Sequence, residues 1–294
     1  HLSLRRQRQM CIRDRFQGIW VPIVTPFIDG AVDFAALGRL TTHLLESGVA
    51  GLVVCGTTGE AAALDKDEQL AVLDAVLERA PAGKVIMGLA GNNLKSLLSL
   101  QEQILERAVA ALLVPAPYYI RPSQAALESF FANVADASSV PLIVYDIPYR
   151  TGVSLDTATL LNIVAHPRIA AVKDCGGNLE KTLALLACGQ IEVLCGEDLQ
   201  LFNALCLGAH GAIAASAHIH PQRFVALLQQ VRAQQLDAAR STFMQLVPLI
   251  KALFAEPNPA PVKALLAHQG LIGTQLRAPM HDCSAALQTL LRTL

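Results

Sequence analysis

The chain has no excess of charge of either sign. Across 294 residues, 23 Lys and Arg stand against 24 Asp and Glu, a formal net charge of -1. Binding to nucleic acid relies on a broad positive field, which is missing, and no acidic tail is present either, so a small-molecule partner is expected. The seven cysteines, Cys11, Cys55, Cys175, Cys188, Cys195, Cys206 and Cys283, form no C-x-x-C pair and no Cys/His cluster at zinc spacing. Their odd number suits reduced thiols in a cytoplasm. Cys55, Cys175 and Cys195 each close a strand-like run and are read as small core or pocket-wall residues.

An uninterrupted membrane span is lacking too. Hydrophobic residues make up 53% of the chain, and residues 199–222 hold no Asp, Glu, Lys or Arg. Asn203, His210, Ser216, His218 and His220 nevertheless interrupt that stretch, and Gly208 and Gly211 divide it into a helix followed by a strand. Residues 1–15 carry Arg5, Arg6, Arg8, Arg13 and Arg15 without an apolar h-region, so they are not a secretory signal. They are read as an extraneous leader outside the fold, a mitochondrial-type presequence being the alternative.

What the chain does contain, from Phe16 onward, is a regular alternation of short apolar runs with amphipathic stretches, the pattern of repeated β-α units. Strands are expected near residues 19–25, 51–55, 84–88, 111–114, 142–146, 169–173, 192–195 and 211–214. Phe34, Leu37, Leu40 and Leu44 lay one apolar stripe along an intervening helix, and Asp65 with Glu68 has the spacing of a capping box. Eight such strands predict a (β/α)8 TIM barrel, since a doubly wound sheet more often uses five or six. After Ala214 the pattern turns wholly helical, with candidates at 221–233, 236–254, 259–270 and 284–294. The expected organisation is a barrel over 16–220 and a C-terminal helical appendage over 221–294, with no low-complexity linker between them.

Barrel active sites lie at the carboxyl ends of the strands, and one such end stands out. Lys173 closes the run Ile169, Ala170, Ala171, Val172 and is followed by Asp174, Cys175, Gly176 and Gly177. Burial disfavours the ammonium form and leaves a neutral amine able to attack a carbonyl and form a Schiff base. The bland alternative is a solvated loop lysine, so the neighbouring strand ends decide the matter. The second strand ends in Gly56, Thr57, Thr58, Gly59 and Glu60, a tight loop of amides and hydroxyls suited to a carboxylate. The fourth leads to Tyr118 and Tyr119, and the fifth to Tyr145, Asp146, Ile147, Pro148, Tyr149, Arg150, Thr151 and Gly152. These tyrosines read either as core aromatics with polar tips or as proton carriers.

In order, the segments G-T-T-G-E, P-Y-Y-x-R-P-S-Q, Y-D-I-P-Y-R-T-G, V-K-D and E-P-N-P-A-P-V-K resemble the 4-hydroxy-tetrahydrodipicolinate (dihydrodipicolinate) synthases. These belong to the pyruvate-dependent class I aldolases, which include N-acetylneuraminate lyase. The resemblance runs from Phe16 to about Met280 and implies a (β/α)8 barrel with a helical C-terminal part. It implies condensation of pyruvate with aspartate semialdehyde, a step toward lysine and diaminopimelate, without metal or organic cofactor, in a cytoplasmic homo-oligomer, dimer or tetramer. By the same resemblance, Lys173 is the Schiff-base nucleophile and Tyr145 moves protons. Thr57 and Tyr119 complete a hydroxyl relay, Tyr119 across a dimer interface. Thr57 and Thr58 hold the pyruvate carboxylate, Gly196 and Ile213 line the pocket, and the planar fork of Arg150 takes the carboxylate of the aldehyde. Lyases of the group that act on sialic acid tend to lack this arginine and to read G-S-T-G, so both features favour the synthases.

The chain departs from the pattern in places. Asp146 replaces the usual asparagine, Tyr149 a small residue, and Asp174, Cys175 and Gly176 the commoner Glu-Ala-Thr. These changes are expected to border the substrate, so an aldolase or lyase for another aldehyde or 2-keto acid is the alternative, and a non-catalytic barrel a remote third. At the pocket that many of these synthases use for lysine feedback, Asn92 and Tyr118 match. Lys66 and Gln69 stand at the histidine-type positions, however, and Ser96 replaces a glutamate.

Overall fold

The computed structural model describes residues 15–81 and 83–294; the leader reading, apart from Arg15, lies outside the described residues. Eight parallel strands close on themselves: β1 (Gly18–Pro22), β2 (Gly51–Val54), β3 (Val85–Gly88), β4 (Ala111–Pro115), β5 (Leu142–Asp146), β6 (Ile169–Asp174), β7 (Glu192–Cys195) and β8 (Gly211–Ile213). Each pairs with its neighbour in sequence, and β1 joins β8 to β2, with Trp20 opposite both Ile213 and Gly51. The eight expected strands are all present. The first ends at Pro22, earlier than its apolar run suggested, because proline offers no N–H to the ladder.

Alternation along the strands separates two cores. Trp20, Val53, Ile86, Leu113, Ile143, Ala171, Leu194 and Ile213 fill the barrel, while the opposite strand faces join a larger cluster beneath the helices. Helix α1 (Phe34–Glu46) shows how that outer layer forms. Its N-terminus is capped by Asp33, whose carboxylate accepts the Ala36 N–H at 2.9 Å, and Leu37, Leu40 and Leu44 are wholly buried. Phe34, in the exposed first turn, lies outside the stripe. The capping box opens α2 (Lys66–Leu77) as expected: Asp65 accepts the Glu68 N–H at 2.8 Å and Glu68 accepts the Asp65 N–H at 3.1 Å.

Helices α3 (Leu94–Leu105), α4 (Gln124–Asp136), α5 (Thr157–Val164), α6 (Leu179–Cys188) and α7 (Leu201–Cys206) complete the outer ring. Four more follow: α8 (Pro221–Arg232), α9 (Leu236–Leu253), α10 (Ala260–His268) and α11 (Ala285–Leu291). Phe224, Leu246, Leu266 and Leu287 of these helices belong to the same buried cluster as the barrel's outer face. Among the described residues, no helix is long and apolar enough to cross a membrane.

Two of the sequence motifs, some 200 residues apart, meet here. Lys263 of α10 pairs with Glu60 of the G-T-T-G-E loop, the two side chains being 0% and 3% exposed. Lys263 Nζ also donates to the Gln275 carbonyl at 2.8 Å and lies 4.3 Å from the centre of the Phe27 ring. Asn258 Nδ2 donates to Thr58 Oγ1 at 2.9 Å. Further along, Arg277 forks onto both oxygens of Glu68 at 2.6 Å and stacks 4.6 Å over the same Phe27 ring. The E-P-N-P-A-P-V-K segment thus fastens the C-terminal helices to the loop that follows β2.

An isolated charge in this interior is costly, so Lys263→Met alone is expected to destabilise the fold by about 3–5 kcal/mol. Glu60→Gln/Lys263→Met should recover a large part of that loss. Thermal and urea unfolding of the two variants measure it; equal losses would show that the pair is not what holds the loop.

Candidate active site

Lys173 and Tyr145 face each other in register on β6 and β5. Both side chains point into the carboxyl end of the barrel, with Lys173 only 6% exposed and its Nζ 4.1 Å from the centre of the Tyr145 ring. Burial lowers the Lys173 pKa; Cys175, Asp198 and Glu197 oppose that shift and Arg150 adds to it. Burial also raises the Tyr145 pKa well above its ordinary value, Cys175 adding to the effect and the hydrogen bond with Thr57 opposing it. The pair is therefore biased toward a neutral amine beside a protonated phenol, the forms needed for attack on a carbonyl and delivery of a proton.

The G-T-T-G-E loop, held by two internal bonds and one from Thr25, brings the Thr57 hydroxyl to this pair. Gly59 N–H donates to Gly56 O at 3.1 Å, Glu60 N–H to Thr57 O at 3.1 Å, and Thr25 Oγ1 to Gly59 O at 2.7 Å. Thr57 is left exposed at the mouth with its hydroxyl on Tyr145, while Thr58 is buried against Asn258. Ile213 forms part of the wall, being 1% exposed inside the barrel. Gly196 has a more exacting role. A Cβ there would lie 2.3 Å from Cys175 Sγ, 2.8 Å from Lys173 Cε and 3.0 Å from Lys173 Cγ, so only glycine lets the lysine stem and the thiol share that space.

Arg150 lies on the helical turn Pro148–Thr151 at the rim, its guanidinium 5.8 Å from the centre of the Tyr149 ring. Tyr119 is not brought to the lysine within the single chain. Its side chain is 88% exposed, its backbone takes φ 72°, and its N–H is tied to Thr151 O at 3.0 Å. A left-handed backbone at a non-glycine residue persists only where surrounding bonds hold it, so the loops after β4 and β5 together present this ring outward.

Asp198 was not foreseen as part of the site. It is 4% exposed, accepts the Ser216 N–H at 2.7 Å and lies within electrostatic reach of Lys173. Burial pushes its pKa up to about 6, with the Ser216 bonds and Lys173 opposing. The available signal was the G-E-D run closing β7, which resembles any polar turn until the barrel closes.

The departures from the family pattern separate into two groups, which corrects the expectation that all of them border the substrate. Asp146 follows inward-facing Tyr145 and so points outward, where its carboxylate meets Lys181 of α6 at 2.7 Å, both side chains being almost fully buried. Lys181 also donates to Ser154 Oγ at 3.3 Å. Gly176 makes room for this pair, since a Cβ would fall 2.9 Å from Asp146 Oδ2. Asp174 likewise faces outward, onto Thr182 and the Gly176 N–H. Only Cys175 and Tyr149 are left near the pocket.

A buried lysine whose pKa is lowered, set against a phenol at the mouth of a parallel barrel, defines the Schiff-base class of barrel lyases. Comparison with known proteins agrees. The model of the dihydrodipicolinate synthetase family matches residues 15–294. The 4-hydroxy-tetrahydrodipicolinate synthase of Trichlorobacter lovleyi is 37% identical over 274 residues, covering 92% of this chain and 94% of that protein. The Limosilactobacillus fermentum enzyme of the same name is 38% identical over 268 residues, covering 90% and 86%. The crystal structure of dihydrodipicolinate synthase from Aquifex aeolicus superposes with a TM-score of 0.92 at 32% identity, covering 95% of this chain and 96% of that one. The chain belongs to the dihydrodipicolinate synthetase family.

Gly196→Ala is expected to keep the fold but to lower the rate of imine formation by ~10²-fold, the scale of an ångström's misplacement of a reacting group. Adding Cys175→Ala should restore part of the rate. Circular dichroism with stopped-flow adduct formation checks both; an unaffected Gly196→Ala enzyme would mean that the lysine stem is not confined there.

Proposed function

We propose that the chain condenses pyruvate with L-aspartate 4-semialdehyde to 4-hydroxy-tetrahydrodipicolinate, through an imine on Lys173. The observation that carries this reading is the burial of the Lys173 amine against Tyr145, with Thr57 on the phenol's hydroxyl. The neutral amine attacks the keto carbon of pyruvate, and a proton from Tyr145 converts the carbonyl oxygen into a hydroxyl. That hydroxyl leaves as water, giving an iminium that acts as the electron sink. Loss of a methyl proton yields an enamine whose terminal carbon attacks the aldehyde. The acceptor's own amine then attacks the imine carbon, closing the ring and releasing Lys173, so one water is lost overall.

Thr57 and Thr58 hold the pyruvate carboxylate, Gly196 and Ile213 shape the pocket around the imine, and Arg150 at the rim receives the carboxylate of the aldehyde. Tyr119, turned out of its own barrel, completes the relay of a neighbouring subunit in a homo-oligomer, which its 88% exposure supports. The enzyme works in a reducing cytoplasm, in keeping with six free cysteines among the described residues.

Borohydride reduction with pyruvate should add the mass of a trapped adduct at Lys173. Lys173→Ala should abolish the adduct and cut turnover by at least ~10⁴-fold, as loss of a covalent nucleophile does. Retained turnover in that variant would overturn the mechanism.

Feedback by lysine is expected to be weak. Asn92 Oδ1 already accepts the Tyr118 N–H at 3.0 Å, and Gln69 is turned onto the Ala61 and Leu64 carbonyls at 3.1 and 3.2 Å. Ser96 offers no anion, and Lys66 would repel an ammonium. Strong inhibition of the activity by millimolar lysine would contradict this.

A further inference from the structure

One bond at the barrel mouth plays no part in the imine chemistry described above. Tyr149, in the turn after β5, donates its hydroxyl to Glu197 Oε1 at 2.9 Å, and Glu197 lies in the loop after β7. Because β6 stands between β5 and β7, this bridge passes over the end of the strand that carries Lys173. Its two ends are anchored in different ways. Glu197 directly follows Gly196, the residue packed on the Lys173 stem. Tyr149 directly precedes Arg150, whose guanidinium lies 5.8 Å from the phenol ring. The bridge therefore brings a cation and an anion to one phenol, Arg150 near its ring and Glu197 on its hydroxyl, both within electrostatic reach of Lys173.

Aspartate semialdehyde carries an amino-acid head, with an ammonium and a carboxylate on one carbon. Arg150 accounts for the carboxylate and leaves the ammonium without a partner. Resting on the proposed acceptor, we propose that Glu197, held in place by Tyr149, is the anchor for the acceptor's ammonium group, opposite Arg150, and so a specificity-determining residue of this enzyme. The phenol bonds only one carboxylate oxygen, Oε1. In the proposed role the ammonium donates to the other, Oε2. Burial raises the Tyr149 pKa, with Cys175 and Glu197 adding to the shift, so the hydroxyl stays protonated and donates. Tyr149 takes the place of a small residue common in the family, so in this chain the anchor has a brace that a small side chain cannot supply.

The test compares L-aspartate 4-semialdehyde with its des-amino analogue, succinate semialdehyde, which keeps the carboxylate and the aldehyde. The readouts are the KM of the first and the inhibition constant of the second as its competitor. Glu197→Gln should raise the KM by ~10-fold, with kcat nearly unchanged and the analogue's inhibition constant unmoved. Tyr149→Phe should produce the same split to a smaller degree. Arg150→Gln should weaken both ligands, because both carry the carboxylate. Borohydride trapping of pyruvate in Glu197→Gln and Tyr149→Phe verifies that fold and amine are intact. Equal effects of Glu197→Gln on the two ligands, or no effect on either, would overturn the anchor while leaving the acceptor assignment standing. If the wild-type enzyme traps pyruvate but does not turn over aspartate semialdehyde, the acceptor assignment fails and the anchor with it.

Discussion

Removing the Lys173 amine from water is the constraint on which the rest of the structure depends. A charged ammonium is disfavoured at the end of a closed barrel, and the site surrounds the amine with a phenol and more distant carboxylates rather than a contacting ion-pair partner. Tyr145 and Asp198 are subject to the same burial, which drives each toward its protonated form. The result is a small set of groups biased toward their protonated forms around one amine. The wall geometry follows from the same demand: the lysine stem has its space only because position 196 has no side chain.

Elsewhere the chain handles buried charge by direct pairing. Lys263 with Glu60 and Lys181 with Asp146 are both removed from solvent, and both serve the site from behind. The first joins the C-terminal helices to the loop bearing Thr57 and Thr58; the second fills the space between β5 and α6, behind Tyr145. Three lysines thus experience one kind of environment with different outcomes. Two are neutralised by a carboxylate in contact, while Lys173 has only more distant carboxylates and a phenol, which leaves its amine available for chemistry.

The placement of most candidate site residues was legible in the sequence because parallel barrels display the residues that follow each strand. Lys173, Thr57, Thr58, Tyr145, Arg150, Gly196 and Ile213 all lie at or just beyond strand ends that the apolar runs located. Tyr119 was equally visible as a motif residue, yet its direction depends on a loop with a left-handed backbone, which local pattern does not encode. The substitutions near Tyr145 and Lys173 misled for a related reason. Proximity in sequence suggested a shared pocket, but successive strand residues face opposite sides of the wall, so Asp146 and Asp174 belong to the helix layer.

From the sequence alone one could determine the repeated β-α units, the barrel they form and the lysine at the end of its sixth strand, because hydrophobic period and strand length are local properties of the chain. Tertiary structure alone decided that Asp198 approaches Lys173, that Lys181 accompanies Asp146, that Glu60 meets Lys263, and that Tyr149 reaches Glu197 across β6. Each of these contacts joins segments separated along the chain, and their pairing follows from barrel closure, strand order and the side of the wall to which each residue points.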